Sequence, residues 1–151
     1  MPTHTVIIQP DSPTGQLIRR LGYAGLIPFA VFALLMWLVT PEVHPLVAIA
    51  LVSYAAVVAS FLGGIHWGAV WNSNRHAPMA LVWGICPSLL AWVGALMPAR
   101  TALILLGAVL ILSYAVDRSM YPRYGLQRWL RLRLHLSAVA ALSCWVGAAG
   151  A

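Results

Sequence analysis

Between Leu46 and Trp71 the chain runs 26 residues without a charged side chain other than one histidine, His66. As a helix such a run is ~39 Å long at 1.5 Å per residue. The hydrocarbon core of a bilayer is about 30 Å, so the run can only be a membrane-spanning helix, tilted or protruding. Two features within it stand out. Ala56, Ser60, Gly64 and Gly68 recur every fourth residue, a spacing that makes a groove for close helix packing. His66 is polar at a place where an ionisable group is costly and marks a functional hypothesis. At 100° per residue it points about 160° away from Gly64 and Gly68, on the face of Leu62, Ala59 and Ala55.

The rest of the chain has the same character. Charged residues make up 8% and hydrophobic residues 62%, against about 25% charged for a soluble domain. Four further apolar segments give an all-α integral membrane bundle of five transmembrane helices. The spans are expected at about 21–39, 46–71, 78–97, 101–117 and 130–149, within a domain of residues 13–151 that follows a short tail, 1–12. Ser12 is a cap and Pro13 a first-turn residue for the opening helix. Pro28 predicts a kink near Ala24, and Pro87 another in the third span. Trp67 and Trp71 suit an interfacial aromatic belt. The opening of the last helix, Leu130-Arg131-Leu132-Arg133-Leu134, alternates as a strand does. The apolar run that follows it overrules that pattern, because an open strand edge cannot enter lipid. The first span has no small-residue cleavage site after it and reads as retained.

The basic residues are all arginine, and their distribution orients the bundle. Arg19, Arg20, Arg75, Arg118, Arg123, Arg128, Arg131 and Arg133 fall on one side of a five-span topology; only Arg100 falls on the other. The positive-inside rule then puts the N-terminus in the cytoplasm and the C-terminus in the periplasm, in a bacterial cytoplasmic (inner) membrane. These arginines border apolar spans and accompany no base-stacking or zinc-finger motif, so nucleic acid is not the expected partner. Cys86 and Cys144 lie singly in apolar runs and read as buried thiols.

Polar groups able to do chemistry collect in the cytoplasmic leaflet. Asp117 ends the fourth span and is expected to pair with Arg118 or with an arginine of the fifth helix. Arg128, Arg131 and His135 form one stripe of that helix, suited to anionic headgroups, while Arg133 and Ser137 form another face. The expected polar site is His66, Asp117, Arg118, Arg131 and His135. No nucleophile elbow, phosphate loop, zinc-protease helix or carboxylate pair is present, so no catalytic or metal residues are assigned.

Several segments together resemble an uncharacterised family of small bacterial multi-pass membrane proteins, a domain of unknown function with a similar multi-pass protein in mitochondria. They are Leu21–Phe29, Ser60–Gly68, Pro87–Trp92, Asp117-Arg118 and Leu130–Arg133. The resemblance implies membership of a membrane family and brings no known reaction. The leading expectation is therefore a non-enzymatic membrane protein that binds lipid or quinone or assists a membrane complex. A small proton-linked transporter or channel using His66 and Asp117 is the alternative. A haem protein with His66 and His135 as axial ligands is a third reading; no cofactor follows from the residues themselves.

Overall fold

A computed structural model describes residues 8–73 and 76–151. Residues 1–7 of the expected N-terminal tail, 1–12, and the placement of Arg75 lie outside the described residues. Among those described there are only helices and turns: α1 (Pro13–Ala24), α2 (Ile27–Leu38), α3 (His44–Ser73), α4 (Pro78–Ala95), α5 (Ala99–Met120) and α6 (Leu130–Gly150). Two short 3₁₀ turns, Tyr121–Tyr124 and Gln127–Trp129, join α5 to α6. Five helical stretches are long and apolar enough to cross a membrane, with α1 and α2 together forming the first.

The local rules account for most helix boundaries. The Ser12 hydroxyl accepts from Gly15 N–H, and Pro13 opens α1. Pro28 has a stronger effect than a kink: the helix breaks at Gly25-Leu26 and restarts at Ile27. The break exposes backbone acceptors in a region where lipid cannot satisfy them. Tyr54 of α3 meets that need by donating its hydroxyl proton to the Gly25 carbonyl at 2.8 Å. By contrast, α4 continues through Pro87, which is buried against its neighbours. Gly125, in the left-handed region at φ 72°, ends the first 3₁₀ turn, a conformation glycine adopts without steric cost. The alternating opening of the last span is helical.

The helices form one bundle around a core of Leu51, Ala55, Ala59, Leu103, Leu106, Leu110, Ala141 and Cys144. At the arginine-poor end it is closed by side chains that reach backbone oxygens. His44 Nε2 lies 2.8 Å from the Gly150 carbonyl, and the Trp37 indole donates to the Val146 carbonyl at 3.2 Å. The antiparallel α5–α6 pair has a fixed register. The Trp145 indole covers Gly107 and donates to the Ile104 carbonyl at 3.3 Å. Toward the other end Asp117 meets Arg133.

The small-residue groove is displaced from where the sequence suggests. Among the described residues nothing lies within 4 Å of a Cβ placed on Gly64 or Gly68, and Ala56 and Ser60 are half-buried. Helix–helix contact is closest one residue away, where Gly63 of α3 meets Gly84 of α4 backbone to backbone. A Cβ at Gly63 would collide with the Gly84 carbonyl oxygen. Trp67 is also recruited to this contact, packing its ring over Gly84 and donating to the Leu81 carbonyl at 3.1 Å. Of the two tryptophans of the expected aromatic belt, Trp71 is exposed on the surface and Trp67 is half-buried.

Candidate functional site

Three helices bring charge to one buried point. Each does so by extending its core-facing stripe by one more turn. On α3 the stripe runs Ala55, Ala59, Leu62, His66; on α5 it runs Leu103, Leu106, Leu110, Ser113, Asp117; on α6 it runs Cys144, Ala140, Ser137, Arg133. The result is a cluster in which His66, Asp117 and Arg133 are 2%, 1% and 7% exposed. Burial this complete in a spanning helix requires the groups to compensate one another.

The geometry does so through a single carboxylate. His66 Nε2 is 2.9 Å from Asp117 Oδ1, the separation of an N–H donating to a carboxylate oxygen. Arg133 donates Nε–H to Asp117 Oδ2 at 2.8 Å, and its Nη2 donates to the same oxygen. One oxygen therefore ties α5 to α3 and the other ties it to α6. Charge-assisted hydrogen bonds of this kind are roughly twice as strong as neutral ones. The Tyr121 ring, also buried, lies edge-on to the His66 ring with centroids 6.2 Å apart. With His66 neutral the cluster carries no net charge.

Of the residues expected to share a polar site, His66 and Asp117 are brought together. Arg118, Arg131 and His135 are not. Arg118 follows Asp117 on the helix but points outward. Arg131 and His135 lie on the outer face of α6, where His135 Nδ1 is 3.3 Å from the Tyr23 hydroxyl of α1. The arginine that serves Asp117 is Arg133. A signal for it exists in the sequence: counting back from Cys144 and Ala140 by helical turns reaches Ser137 and then Arg133, so the small-residue face of α6 points at it. The two imidazoles occupy separate surroundings with different partners, an arrangement that does not suit joint axial ligation. Among the described residues no group of three or more His, Cys, Asp or Glu side chains could hold a metal.

Ser113 and Ser137 sit one turn deeper than Asp117 and Arg133 on the paired helices, at matching levels in the antiparallel register. Both hydroxyls are buried and make no hydrogen bond among the described residues. They differ in this from Ser60 and Ser143, which donate to carbonyls of their own helices four residues back. A buried hydroxyl without a partner is uncommon, so this pair marks a polar step inside the bundle. Beyond it Leu110 and Ala140 are apolar and close the column.

Arg133 has a second exposure. Besides Asp117 it lines a groove between α1, α3 and α6 with a volume of about 620 Å³, whose walls include Phe61, Ile65, Tyr121 and Trp129. A smaller cavity of about 230 Å³ continues it past Phe29 and Tyr54 to Ser137 and Ala140. The two share Leu21, Gly22, Phe61, Leu62, Arg133 and Leu136 as a common wall. Phe61 and Leu21 are exposed on the outer surface of the bundle, so the groove is rimmed by lipid-facing side chains.

Comparison with known proteins places this bundle. Residues 15–149 match the family model described as a protein of unknown function, DUF3429. Transmembrane protein 69 of Xenopus tropicalis is 39% identical over 141 residues, covering 88% of this chain and 53% of the relative. Transmembrane protein 69 of Mus musculus is 31% identical over 137 residues, covering 88% of this chain and 55% of the relative. The chain thus spans about half the length of these curated relatives. No solved structure matches it. The match over nearly the whole bundle, together with its five apolar helices, makes the chain a multi-pass membrane protein that belongs to the DUF3429 family.

Proposed function

We propose that the protein is a non-enzymatic membrane protein that holds a bilayer amphiphile, a lipid or a quinone, in the groove over Arg133. One observation carries this reading. A buried guanidinium already balanced by Asp117 also faces a largely apolar cavity that is rimmed by lipid-facing side chains. Ligand sites commonly measure 300–1,000 Å³ and combine apolar walls with a few fixed polar groups. The unpartnered Ser137 hydroxyl at the far end of the groove adds a second polar group for a carbonyl or ester. The arginine-rich end faces the cytoplasm of a bacterial inner membrane. A reporter in the 72–76 loop is then cytoplasmic and one after Ala151 periplasmic; the reverse at either position defeats that orientation.

The test of the groove is extraction and mass spectrometry of amphiphiles that remain with the purified, delipidated protein. Wild type retains one equivalent of a lipid or quinone, and Leu136→Trp, which fills the wall common to both cavities, loses it. Equal retention by the variant overturns the reading. The His66–Asp117 hydrogen bond supports a second reading, a proton-linked carrier, because a titratable pair inside a span is the usual element of a proton relay. Proton uptake into liposomes that is abolished by His66→Gln would favour it over passive binding.

A further inference from the structure

A third, quite different cavity lies beside the groove. It has a volume of about 230 Å³ and is formed by α1 and the start of α6, with Arg19, Tyr23, Arg128, Trp129, Arg131 and His135 in its walls. Among the described residues no acidic side chain lines it. Helical spacing aims the basic groups together: Arg19 and Tyr23 are one turn apart on α1, as are Arg131 and His135 on α6. The cavity is braced rather than formed by loose interfacial arginines. Tyr23 meets His135 across it, and Arg128 donates to the Gln9 side chain. Arg19 and Arg131 have no hydrogen-bond or ion-pair partner among the described residues, which leaves their donors for a ligand. Trp129 and Leu132 belong both to this cavity and to the groove, so one layer of side chains separates a basic pocket from an apolar channel.

We propose that this pocket binds a phosphate group, and that the phosphate is that of an anionic phospholipid whose chain passes over Trp129 and Leu132 into the groove. The inference rests on the groove reading for the chain and on the basic pocket alone for the headgroup. The convergence of arginines from two helices selects phosphate, which each guanidinium matches with paired donors. The absence of any acid from the walls disfavours a headgroup that also carries a positive charge. Arg20 and Arg118, at the same end of the bundle, line no part of this cavity and serve as built-in controls.

Native mass spectrometry of the full chain in detergent, titrated with phosphatidylglycerol or with phosphatidylcholine of identical chains, tests the assignment. Phosphatidylglycerol is expected to bind the wild type as a single tight equivalent and more tightly than phosphatidylcholine. Each arginine near a charged headgroup is worth about fivefold, so Arg19→Gln/Arg131→Gln should weaken phosphatidylglycerol roughly twenty-five-fold. Arg20→Gln/Arg118→Gln should change it no more than about twofold, the non-local share of surface charge. All four positions are exposed, and an unchanged melting temperature confirms that each variant folds. Equal losses in both double variants would reduce the pocket to general surface charge and overturn the proposal. Inorganic phosphate at millimolar concentration is expected not to displace the lipid; displacement would reassign the pocket to a soluble phosphate. Retention of a quinone in place of phospholipid would also overturn it. If Leu136→Trp weakens both lipids while the Arg19/Arg131 variant weakens neither, the groove stands and the phosphate site falls. The converse result keeps the phosphate site and removes the groove.

Discussion

The two ends of the bundle are closed by different means. At the arginine-poor end, His44 and Trp37 reach carbonyls of α6, and the one acid, Glu42, stays in the connecting turn. The Thr40 hydroxyl and its own backbone N–H hold the Glu42 carboxyl below the usual range, without any burial. At the arginine-rich end Asp117 is inside, and its carboxylate is shared by two helices. A carbonyl acceptor exists at every residue, so the first kind of closure specifies little about its partner. A buried carboxylate has few acceptable partners, so the second kind fixes which faces of α3, α5 and α6 meet. The first kind serves cohesion and the second serves registry, which is the best-attested use of buried charge.

That contrast can be broken by substitution. The largest effect is expected for Asp117→Ala, which leaves Arg133 buried without a counter-charge. Removal of one partner from a buried pair costs about 3–5 kcal/mol. Unfolding of the detergent-solubilised protein should register a loss of that size, and a loss under about 1 kcal/mol would mean that the cluster holds the helices together no better than a surface pair. Next comes the α3–α4 contact. Gly63→Ala forces a methyl into the Gly84 carbonyl and should destabilise by about 1–3 kcal/mol, as overpacking does. Gly64→Leu, one residue away on an open face, should stay within about 0.5 kcal/mol in the same assay. Equal tolerance at the two glycines would contradict the rotation of α3 that sets Gly63 against Gly84. The smallest effect is expected for His44→Ala, which removes one hydrogen bond to a carbonyl, worth about 0.5–1.5 kcal/mol. A loss matching that of Asp117→Ala would erase the difference between the two ends.

Much of this molecule is legible before any coordinates. Five spans, the cap at Ser12, the interruption at Pro28 and the helical reading of Leu130–Leu136 all follow from short-range rules, because each depends on residues within a few positions of one another. The face of His66 is also legible, since Ala55, Ala59 and Leu62 lie along it and all are buried. The groove at Gly64 is where such reasoning fails. A repeat of small residues states that close approach is sterically allowed, yet two such stripes, through Gly63 and through Gly64, lie 100° apart on one helix. Only the opposing surface chooses between them, and Gly84 and Trp67 favour Gly63.

The polar site divides in the same way. By itself the sequence determined that His66 and Asp117 stand at similar depth in a low-dielectric layer, and that they need partners there. It also determined that several arginines were within reach of them. The tertiary structure decided that Arg133 takes the carboxylate, that Arg131 and His135 turn outward to α1, and that the Ser113 and Ser137 hydroxyls stand at one another's level without partners among the described residues. The reason is rotational. Depth is set by counting residues along a helix, a one-dimensional property the chain carries in itself. Azimuth is set by how two whole helix surfaces interlock, and a difference of two residues on α6, between Arg131 and Arg133, turns a side chain by 200° from the outer face to the core.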